Sequence, residues 1–310
     1  MGSGTLFALP QLNMDRNLHR LVAALSGVIA ATLILNWAGA ASFNSSVVAD
    51  QAAERGVPIL LYHRFGPVAA DGMTVTTAVF ESHLRFLRDN GYTVIPLRTV
   101  VDWVRGKGPP PPPRSVVITV DDAHRTVMTE MLPLVLRYRV PVTLFVYPSA
   151  ISNASYAMTW EQLRQLRQTG WFDIQSHTFW HPNFKAEKRR LAPDAYARLV
   201  EAQLLKPKVI LKNRLGVDAD LLAWPFGIHD PELMEYAARA GYVAAFTIER
   251  GRAKPADNPM DLPRYLLSNS DRGTAFALIV GGGLPDMSSN RAAATNNGQG
   301  ATPVSSGSSR

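Results

Sequence analysis

Short apolar segments alternate with helical patterns along most of this chain, and this alternation restricts the folds that it can adopt. Strand-like runs rich in Val, Ile and Leu include residues 57–63, 116–120 and 142–147. Stretches whose apolar residues recur at helical spacing separate these runs. Because parallel strands need a crossover, usually a helix, the pattern predicts an α/β fold with a mainly parallel sheet. We count about seven strand–helix units, too many for a small open sheet, and predict a distorted (β/α) barrel.

Local signals predict where individual helices begin and end. Thr159 followed by Gln162 fits a capping box, which predicts the start of a helix. Residues 193–205 form another helical pattern, and we expect Pro207 to kink or end that helix because proline lacks the amide hydrogen. Gly108 and the prolines at 109–113 predict a stiff connector.

The two ends of the chain differ from the middle. Basic residues Arg16 and Arg20 precede an apolar run at residues 21–40, and small residues with A-x-A spacing close it. This order predicts a signal peptide or membrane anchor within residues 1–50, and hence an exported protein of the periplasm or cell envelope with a possible membrane contact through residues 21–40. A buried core helix is the alternative. Residues 51–282 form the predicted folded domain, and the Gly- and Ser-rich residues 283–310 a disordered tail.

Composition excludes several kinds of chemistry. The chain has no cysteine, so disulfides, thiol nucleophiles and cysteine-ligated zinc are excluded. The net charge of +7 raises the question of nucleic acid, but basic residues are scattered apart from a cluster at residues 185–190. Attraction to an anionic cell envelope explains the charge more simply, a solvated surface without a charged partner explains it equally well, and we expect no nucleic-acid partner.

Polar residues with catalytic potential lie where predicted strands end. These positions are His63, Asp121, Asp122, His177 and the segment Trp224-Pro225-Phe226. In (β/α) barrels the carboxyl ends of the strands meet at one face, where active sites form. We therefore expect these side chains to meet.

Two histidines and two aspartates predict a metal site. His177 and His181 are four residues apart, and two imidazoles with one carboxylate suit zinc or another divalent transition metal. Asp121 and Asp122 point in different directions on an extended backbone, so one can bind metal while the other acts as a base. A solvated turn is the alternative for the aspartate pair. A facial-triad iron oxygenase would use the same ligands but would leave Asp121 without a role.

These residues resemble the polysaccharide deacetylases of carbohydrate esterase family 4, which have the NodB-like fold. Thr119-Val120-Asp121-Asp122 resembles the family's first motif, in which the first aspartate is the base and the second binds metal. His177-Thr178-Phe179-Trp180-His181 matches its H-[ST]-x-x-H motif of metal-ligating histidines. The resemblance covers residues 55 to 270. Ala123 departs from the pattern, since the family usually has glycine there.

Further segments resemble one branch, the poly-β-1,6-N-acetylglucosamine N-deacetylases of biofilm systems. Leu61-Tyr62-His63-Arg64-Phe65 resembles the branch's N-terminal Tyr-His motif. Ala223-Trp224-Pro225-Phe226-Gly227 resembles its third motif, and Leu262-Pro263-Arg264 a segment after the last long strand.

The resemblance implies metal-dependent removal of N-acetyl groups from a polysaccharide that contains N-acetylglucosamine, with Zn²⁺, Co²⁺, Ni²⁺ or Fe²⁺ as cofactor. Asp121 would be the base, His63 would protonate the leaving amine, and an amide near Phe226 would bind the oxyanion. Expected substrate contacts are Trp224, Pro225, Phe226, Trp180 and Arg264. Arg264 could also orient Asp121 or pair on the surface. Peptidoglycan or chitin oligosaccharides are alternative substrates, an inactive carbohydrate-binding barrel is an alternative function, and an export machinery is a candidate partner.

Overall fold

The computed structural model describes residues 55–282. The predicted leader, its apolar run at residues 21–40 and the predicted tail at residues 283–310 lie outside this range. Among the described helices, none combines the length and the apolar character that a membrane crossing requires.

Eleven strands and eight α-helices make up the described part of the chain. The strands are β1 (Val57–Tyr62), β2 (Arg64–Gly66), β3 (Thr74–Thr76), β4 (Thr93–Val94), β5 (Ser115–Val120), β6 (Val142–Val146), β7 (Phe172–Ser176), β8 (Leu221–Ala223), β9 (Ala244–Phe246), β10 (Arg252–Ala253) and β11 (Tyr265–Leu266). The helices are α1 (Thr77–Asp89), α2 (Leu97–Val104), α3 (Leu132–Tyr138), α4 (Trp160–Gln168), α5 (Phe184–Arg190), α6 (Pro193–Leu215), α7 (Pro231–Arg239) and α8 (Thr274–Gly281). A π-helical turn, Val127–Met131, precedes α3, and a 3₁₀ turn, Pro225–Gly227, follows β8.

The main sheet is a curled row of parallel strands. Its order is β10-β1-β5-β6-β7-β8-β9, and every pairing from β1 to β9 along this row is parallel. Leu262 forms a parallel bridge with Phe246 of β9, and β11 pairs in parallel with β1. The segment 262–267 therefore spans the gap between the two ends of the row. The α/β fold is confirmed, and the seventh position of the predicted barrel is filled only by the short β11.

Burial on both faces explains the continuous apolar runs of the central strands. All six residues of β1 and all six of β5 are buried. Side chains such as Ile59, Val117 and Phe246 pack together in one cluster, while Leu60, Ile118 and Leu144 pack in another. Parallel strands covered on both sides lack the polar alternation of half-exposed strands. This packing holds the carboxyl ends of the strands in fixed positions.

One predicted helix boundary is confirmed and another is wrong. The Thr159 side chain accepts from the Gln162 amide, and the Gln162 side chain accepts from the Thr159 amide, as in the predicted capping box. Helix α6, however, continues through Pro207 to Leu215. The apolar face carries on beyond the proline with Leu211 and Leu215, both buried, and their packing offsets the proline's cost of about 3 kcal/mol.

Candidate active site

A cleft of about 550 Å³ opens at the carboxyl ends of the parallel strands. Its lining contains most of the polar residues that the sequence placed at strand ends. The lining residues are His63, Arg64, Met73, Asp121, Asp122, His124, Tyr147, Tyr156, His177, His181, Trp224, Phe226, Ile248 and Leu266. The predicted meeting of these side chains at one face is therefore observed.

Three side chains in the cleft form a group suited to a metal ion. One ligand atom from each of Asp122, His177 and His181 lies within 4.8 Å of the other two. Asp122 Oδ1 is 3.7 Å from His177 Nε2 and 3.9 Å from His181 Nε2. His177 Nδ1 donates to the carbonyl of Ala223 at 2.8 Å, so its Nε2 keeps a free lone pair directed at the group. This donor set is the predicted one.

The protonation of these groups also fits a bound cation. Burial lowers the pKa of His177 to about 3 and lowers the pKa of His181 as well, so both imidazoles are neutral ligands at pH 7. Burial raises the pKa of Asp122, and the neighbouring charge of Asp121 adds to this shift, while His63, Arg64 and Arg264 oppose it. A divalent ion would supply the missing positive charge. Two imidazoles and one carboxylate favour a transition metal such as zinc over magnesium or calcium.

Asp121 is held by a buried guanidinium. Arg264 Nη1 donates to Oδ1 at 2.9 Å and Nη2 to Oδ2 at 2.7 Å. Both side chains are almost fully buried, at 0% and 2% exposed. Burial pushes the pKa of Asp121 upward, but the charge and hydrogen bonds of Arg264 outweigh it and hold the pKa at about 2. Asp121 is therefore an ionised carboxylate at any pH near neutral.

The position of Arg264 corrects one prediction and decides an open question. Arg264 is fully buried and does not line the cleft, so it is not a substrate contact. Its Nε donates to the carbonyl of Thr247 at 2.9 Å, which fixes the guanidinium behind Asp121. Arg264 therefore orients Asp121 and does not pair on the surface.

His63 lies beside the aspartates with an unused ring nitrogen. The amide of Asp121 donates to the carbonyl of Tyr62 at 3.0 Å, which places the end of β5 next to His63. Nδ1 of His63 is buried and has no hydrogen-bond partner among the described residues. Burial lowers the pKa of His63, although the charges of Asp121 and Asp122 oppose this shift. A buried nitrogen without a partner is costly, and substrate or water in the cleft could satisfy it.

Several residues in or next to the cleft have left-handed backbone conformations that residues with side chains usually avoid. Asp122, Thr178, His181 and Phe226 have φ angles of 72°, 65°, 59° and 57°. Ala123 has φ of 55°, which explains why glycine is favoured there and implies a strain of roughly 1 kcal/mol for alanine. Such strain concentrates at functional sites, where the surrounding fold imposes it.

Only some of the predicted substrate-contacting residues line the cleft with an exposed side chain. Phe226 lines the cleft, is 56% exposed and packs edge-on against His181 at 4.6 Å between ring centroids. Trp224 also lines the cleft, but it is 1% exposed and its indole N–H donates to the Met260 carbonyl, so it has no open face for a sugar ring. Among the described residues, Trp180 and Pro225 do not belong to the lining.

Sequence reasoning missed one wall of the cleft. Tyr147 follows β6 directly and Ile248 lies two residues after the end of β9, so the strand-end rule that identified His177 could also have found them. His124 lies two residues after Asp122 and could have been noticed for that reason. Tyr156 lies in the irregular segment between β6 and α4, and no sequence signal places it at the cleft.

Comparisons with known proteins agree with this geometry. Residues 108–245 match the family model described as polysaccharide deacetylase. YxkH of Bacillus subtilis, whose assignment as a polysaccharide deacetylase is provisional, is 26% identical over 225 residues, which cover 72% of this chain and 76% of that protein. Poly-β-1,6-N-acetyl-D-glucosamine N-deacetylase of Escherichia coli K12 is 24% identical over 269 residues. That match covers 75% of this chain but only 40% of the E. coli protein, so the chain spans less than half of that relative.

Solved structures share the fold. The deacetylase PplD of Streptococcus pyogenes, determined with acetate, superposes with a TM-score of 0.65 at 20% identity, covering 73% of this chain and 98% of that one. IcaB of Ammonifex degensii gives a TM-score of 0.64 at 22% identity, covering 73% and 97%. At these identities the likeness establishes the fold alone, and residues 108–245 carry the match to the polysaccharide deacetylase family. The chain therefore contains a polysaccharide deacetylase domain with the NodB-like fold.

Proposed function

We propose that this protein is a metal-dependent N-deacetylase that releases acetate from the N-acetylglucosamine units of an exopolysaccharide, poly-β-1,6-N-acetylglucosamine. One observation carries the proposal. Asp121, kept ionised by Arg264, lies beside three side chains, those of Asp122, His177 and His181, whose ligand atoms can share one cation. A site that only bound metal or sugar would need no buried, ionised base next to its ligands.

The named relatives support the substrate. Proteins named poly-β-1,6-N-acetyl-D-glucosamine N-deacetylase, from Escherichia coli K12 and Staphylococcus aureus MRSA252, are 24% and 23% identical to this chain. The S. aureus match covers 63% of this chain and 68% of that protein. His63, which belongs to the Tyr-His segment that suggested this branch and directly follows β1, lines the cleft, and the Asp121 amide donates to the preceding Tyr62 carbonyl.

The chain's own residues provide the groups for amide hydrolysis. Asp122, His177 and His181 would hold the divalent cation, which would polarise the acetamide carbonyl and acidify a water molecule. Asp121 would accept a proton from the attacking water as the water oxygen bonds to the carbonyl carbon. Arg264 keeps Asp121 ionised and fixes its direction, so no proton has to leave the base before the reaction.

Two further groups would complete the reaction. As the second residue of its 3₁₀ turn, Phe226 has an amide without a partner inside the turn, and this amide could donate to the developing oxyanion. His63 would pass a proton to the nitrogen as the C–N bond breaks, which yields acetate and a free amine. Since burial favours the neutral imidazole, His63 must gain a proton before it donates one.

We propose further that the protein works outside the cytoplasm. The basic residues before the apolar run at 21–40 and the small residues after it support export to the periplasm or cell envelope. Retention of that run would place the domain at the membrane, near an exopolysaccharide export machinery.

The test is acetate release by the purified full chain from a β-1,6-linked N-acetylglucosamine oligomer. We expect release with added Zn²⁺ and loss of release with a chelator. Asp121→Asn should lower kcat by roughly 10²- to 10⁴-fold because it removes the base while keeping the side-chain shape. Asp218→Asn is the matched control, since the Asp218 side chain is 82% exposed in a surface ion pair.

Each outcome has a defined meaning. Release from a β-1,4-linked oligomer or from peptidoglycan but not from the β-1,6-linked oligomer would replace the substrate and keep the chemistry. Binding of zinc and sugar without acetate release from any of them would overturn the proposal in favour of an inactive carbohydrate-binding barrel.

A further inference from the structure

The cleft has two walls of different chemistry. Along the curled sheet, β5 and β6 lie on one side of β7, and β8 and β9 lie on the other. The first side contributes polar aromatic groups, those of His124, Tyr147 and Tyr156. The second side contributes apolar groups, those of Phe226, Ile248 and Leu266, the last from β11. The proposed chemistry uses the amide of Phe226 but none of the polar aromatic groups.

Hydrogen bonds fix the tautomer of His124. The amide of Thr126 donates to His124 Nδ1 at 3.3 Å, and the Thr126 hydroxyl lies 2.9 Å from the same nitrogen. An amide can only donate, so Nδ1 is an acceptor and carries no proton. The Phe65 amide donates to the Thr126 hydroxyl oxygen at 3.0 Å, which leaves the hydroxyl hydrogen free to point at Nδ1. The neutral imidazole therefore carries its proton on Nε2, as a donor for the cleft.

Backbone pairing places Tyr156 beside this histidine. The Arg125 amide donates to the Tyr156 carbonyl at 2.8 Å, and His124 forms an antiparallel bridge with Ala157. The two rings stack with an interplanar angle of 10° and centroids 6.1 Å apart. The Tyr156 hydroxyl then meets the Tyr147 hydroxyl at 2.5 Å. The wall thus presents an N–H group and two hydroxyl groups in a fixed row.

We propose that His124, Tyr147 and Tyr156 form a subsite that recognises the hydroxyl groups of a pyranose ring, while the C–H face of that ring packs against Phe226, Ile248 and Leu266. A pyranose has both features, polar groups around its edge and apolar faces. The inference rests on the proposed function and adds to it the orientation of the sugar. It also explains why the site would prefer a glycan to an acetylated amine without hydroxyls, because the polar wall would then lose its partners.

The test compares two substrates in the zinc-loaded full chain. His124→Phe keeps the stacked ring and removes the donor, and Tyr156→Phe removes one hydroxyl. For each variant, kcat/KM is measured on an N-acetylglucosamine oligomer and on an aryl acetate, which has no sugar hydroxyls. We expect the oligomer-to-ester ratio of kcat/KM to fall by about 5- to 20-fold, mainly through KM, as for the loss of one hydrogen bond.

Two more variants test whether the hydrogen bonding of His124 or the local packing changes the substrate ratio. Thr126→Val removes the hydroxyl that faces His124 Nδ1 and should lower the same ratio by a smaller factor. Thr129→Val, at an exposed position in the π-helical turn that Thr126 precedes, is the matched control and should leave the ratio unchanged. An unchanged ratio in both His124→Phe and Tyr156→Phe would overturn the subsite.

A binding measurement keeps this result distinct from failure of the proposed function. Saturation-transfer NMR with a de-N-acetylated glucosamine oligomer reports sugar binding without turnover. If the wild type released no acetate but bound this oligomer, and His124→Phe weakened binding about 10-fold, the subsite would stand and the deacetylase proposal would fail. Equal binding by wild type and His124→Phe would overturn the subsite regardless of activity.

Discussion

Asp121 and Arg264 show how the charge of one residue depends on another that is far away in sequence. Burial alone would favour the neutral carboxylic acid, which cannot accept a proton from water. The charge of Arg264 reverses this preference, with help from the charge of His177 and from the two hydrogen bonds of Arg264, and the pKa is held at about 2. Arg264 thus acts on the reaction through Asp121 and does not need to touch the substrate.

Arg264→Met should therefore change the pH dependence of the reaction. Asp121 has a depressed pKa, so its ionised form persists as pH falls until about pH 2. The variant lacks the largest effect that opposes burial, so the pKa of Asp121 rises and the acid limb of the kcat/KM profile should move to higher pH. The unpaired carboxylate should also lower the free energy of unfolding by about 3–5 kcal/mol at neutral pH, measured by urea denaturation.

Two comparisons make the Arg264 result interpretable. Arg264→Lys keeps the positive charge and should shift the acid limb less, which covers the case in which Arg264→Met fails to fold. Arg98→Met removes a partly exposed pair with Asp220 and should cost about 1 kcal/mol or less, without moving the limb. An acid limb that stays fixed in both Arg264 variants would show that Asp121 is not the titrating base.

At the scale of elements, His229 ties the 3₁₀ turn to a neighbouring segment. Nδ1 donates to the Gly227 carbonyl at 3.0 Å, and Nε2 lies 3.0 Å from Asp261 Oδ1. Each contact requires a proton on its own ring nitrogen, so the imidazolium, which is protonated on both nitrogens, fits both contacts. The ion-pair contact with Asp261 raises the pKa of His229 against the effect of burial, with smaller contributions from the Gly227 carbonyl and Glu249. The turn so held carries Phe226, whose ring packs on His181.

The stabilisation by His229 should depend on pH. Its folded-state pKa is raised, so the stabilising effect is complete below the unfolded value near 6.5 and is lost as pH rises through the folded value. The difference in unfolding free energy between wild type and His229→Asn should be about 1 kcal/mol at pH 6 and smaller at pH 9. Asp261→Asn should show the same trend. If the difference in unfolding free energy stays constant from pH 6 to pH 9, His229 stabilises the turn through packing alone and not through its charge.

At this scale, the sequence predicts the features that depend on residues close together in the chain and misses those that depend on distant contacts. The buried strands and the capping box depend on neighbouring residues, and residues 116–120 and Thr159 were predictable for that reason. The end of α6 depends on how Leu211 and Leu215 pack against other elements, so Pro207 was a misleading signal. Tyr156 reaches the cleft only because its segment pairs with residues 123–125.

For the whole molecule, the site exists only when the sheet has curled. Arg264 and Asp121 are 143 positions apart, and β11 brings Arg264 back to β1 and β5. The metal-ligating groups likewise come from the end of β5 and from the segment after β7. The sequence could supply these residue types and their places at strand ends, but their distances depend on closure of the row between β9 and β1.

A cation that binds this assembled site should stabilise the folded domain. An unfolded chain does not hold Asp122, His177 and His181 together, so zinc binds mainly the folded state and shifts the equilibrium by mass action. At a free concentration of 100 times Kd the gain is about 2.7 kcal/mol, which corresponds to a rise in Tm of roughly 5–10 °C for a domain of this size. Differential scanning calorimetry of the full chain at pH 7 checks this.

The choice of ion and of variant decides whether the stabilisation comes from this site. Mg²⁺ prefers oxygen ligands and should raise Tm far less than Zn²⁺ at the same concentration. His181→Ala removes one imidazole and should abolish most of the zinc-dependent rise, whereas His229→Asn leaves all three ligands in place and should keep it. Because burial lowers the pKa of His177 to about 3 and lowers that of His181 as well, protonation of these two imidazoles should reduce the rise less, between pH 7 and pH 5.5, than it would at a site made of free imidazoles. An equal zinc-dependent rise in His181→Ala would place the stabilising ion elsewhere on the chain and remove the physical basis for a cation beside Asp121.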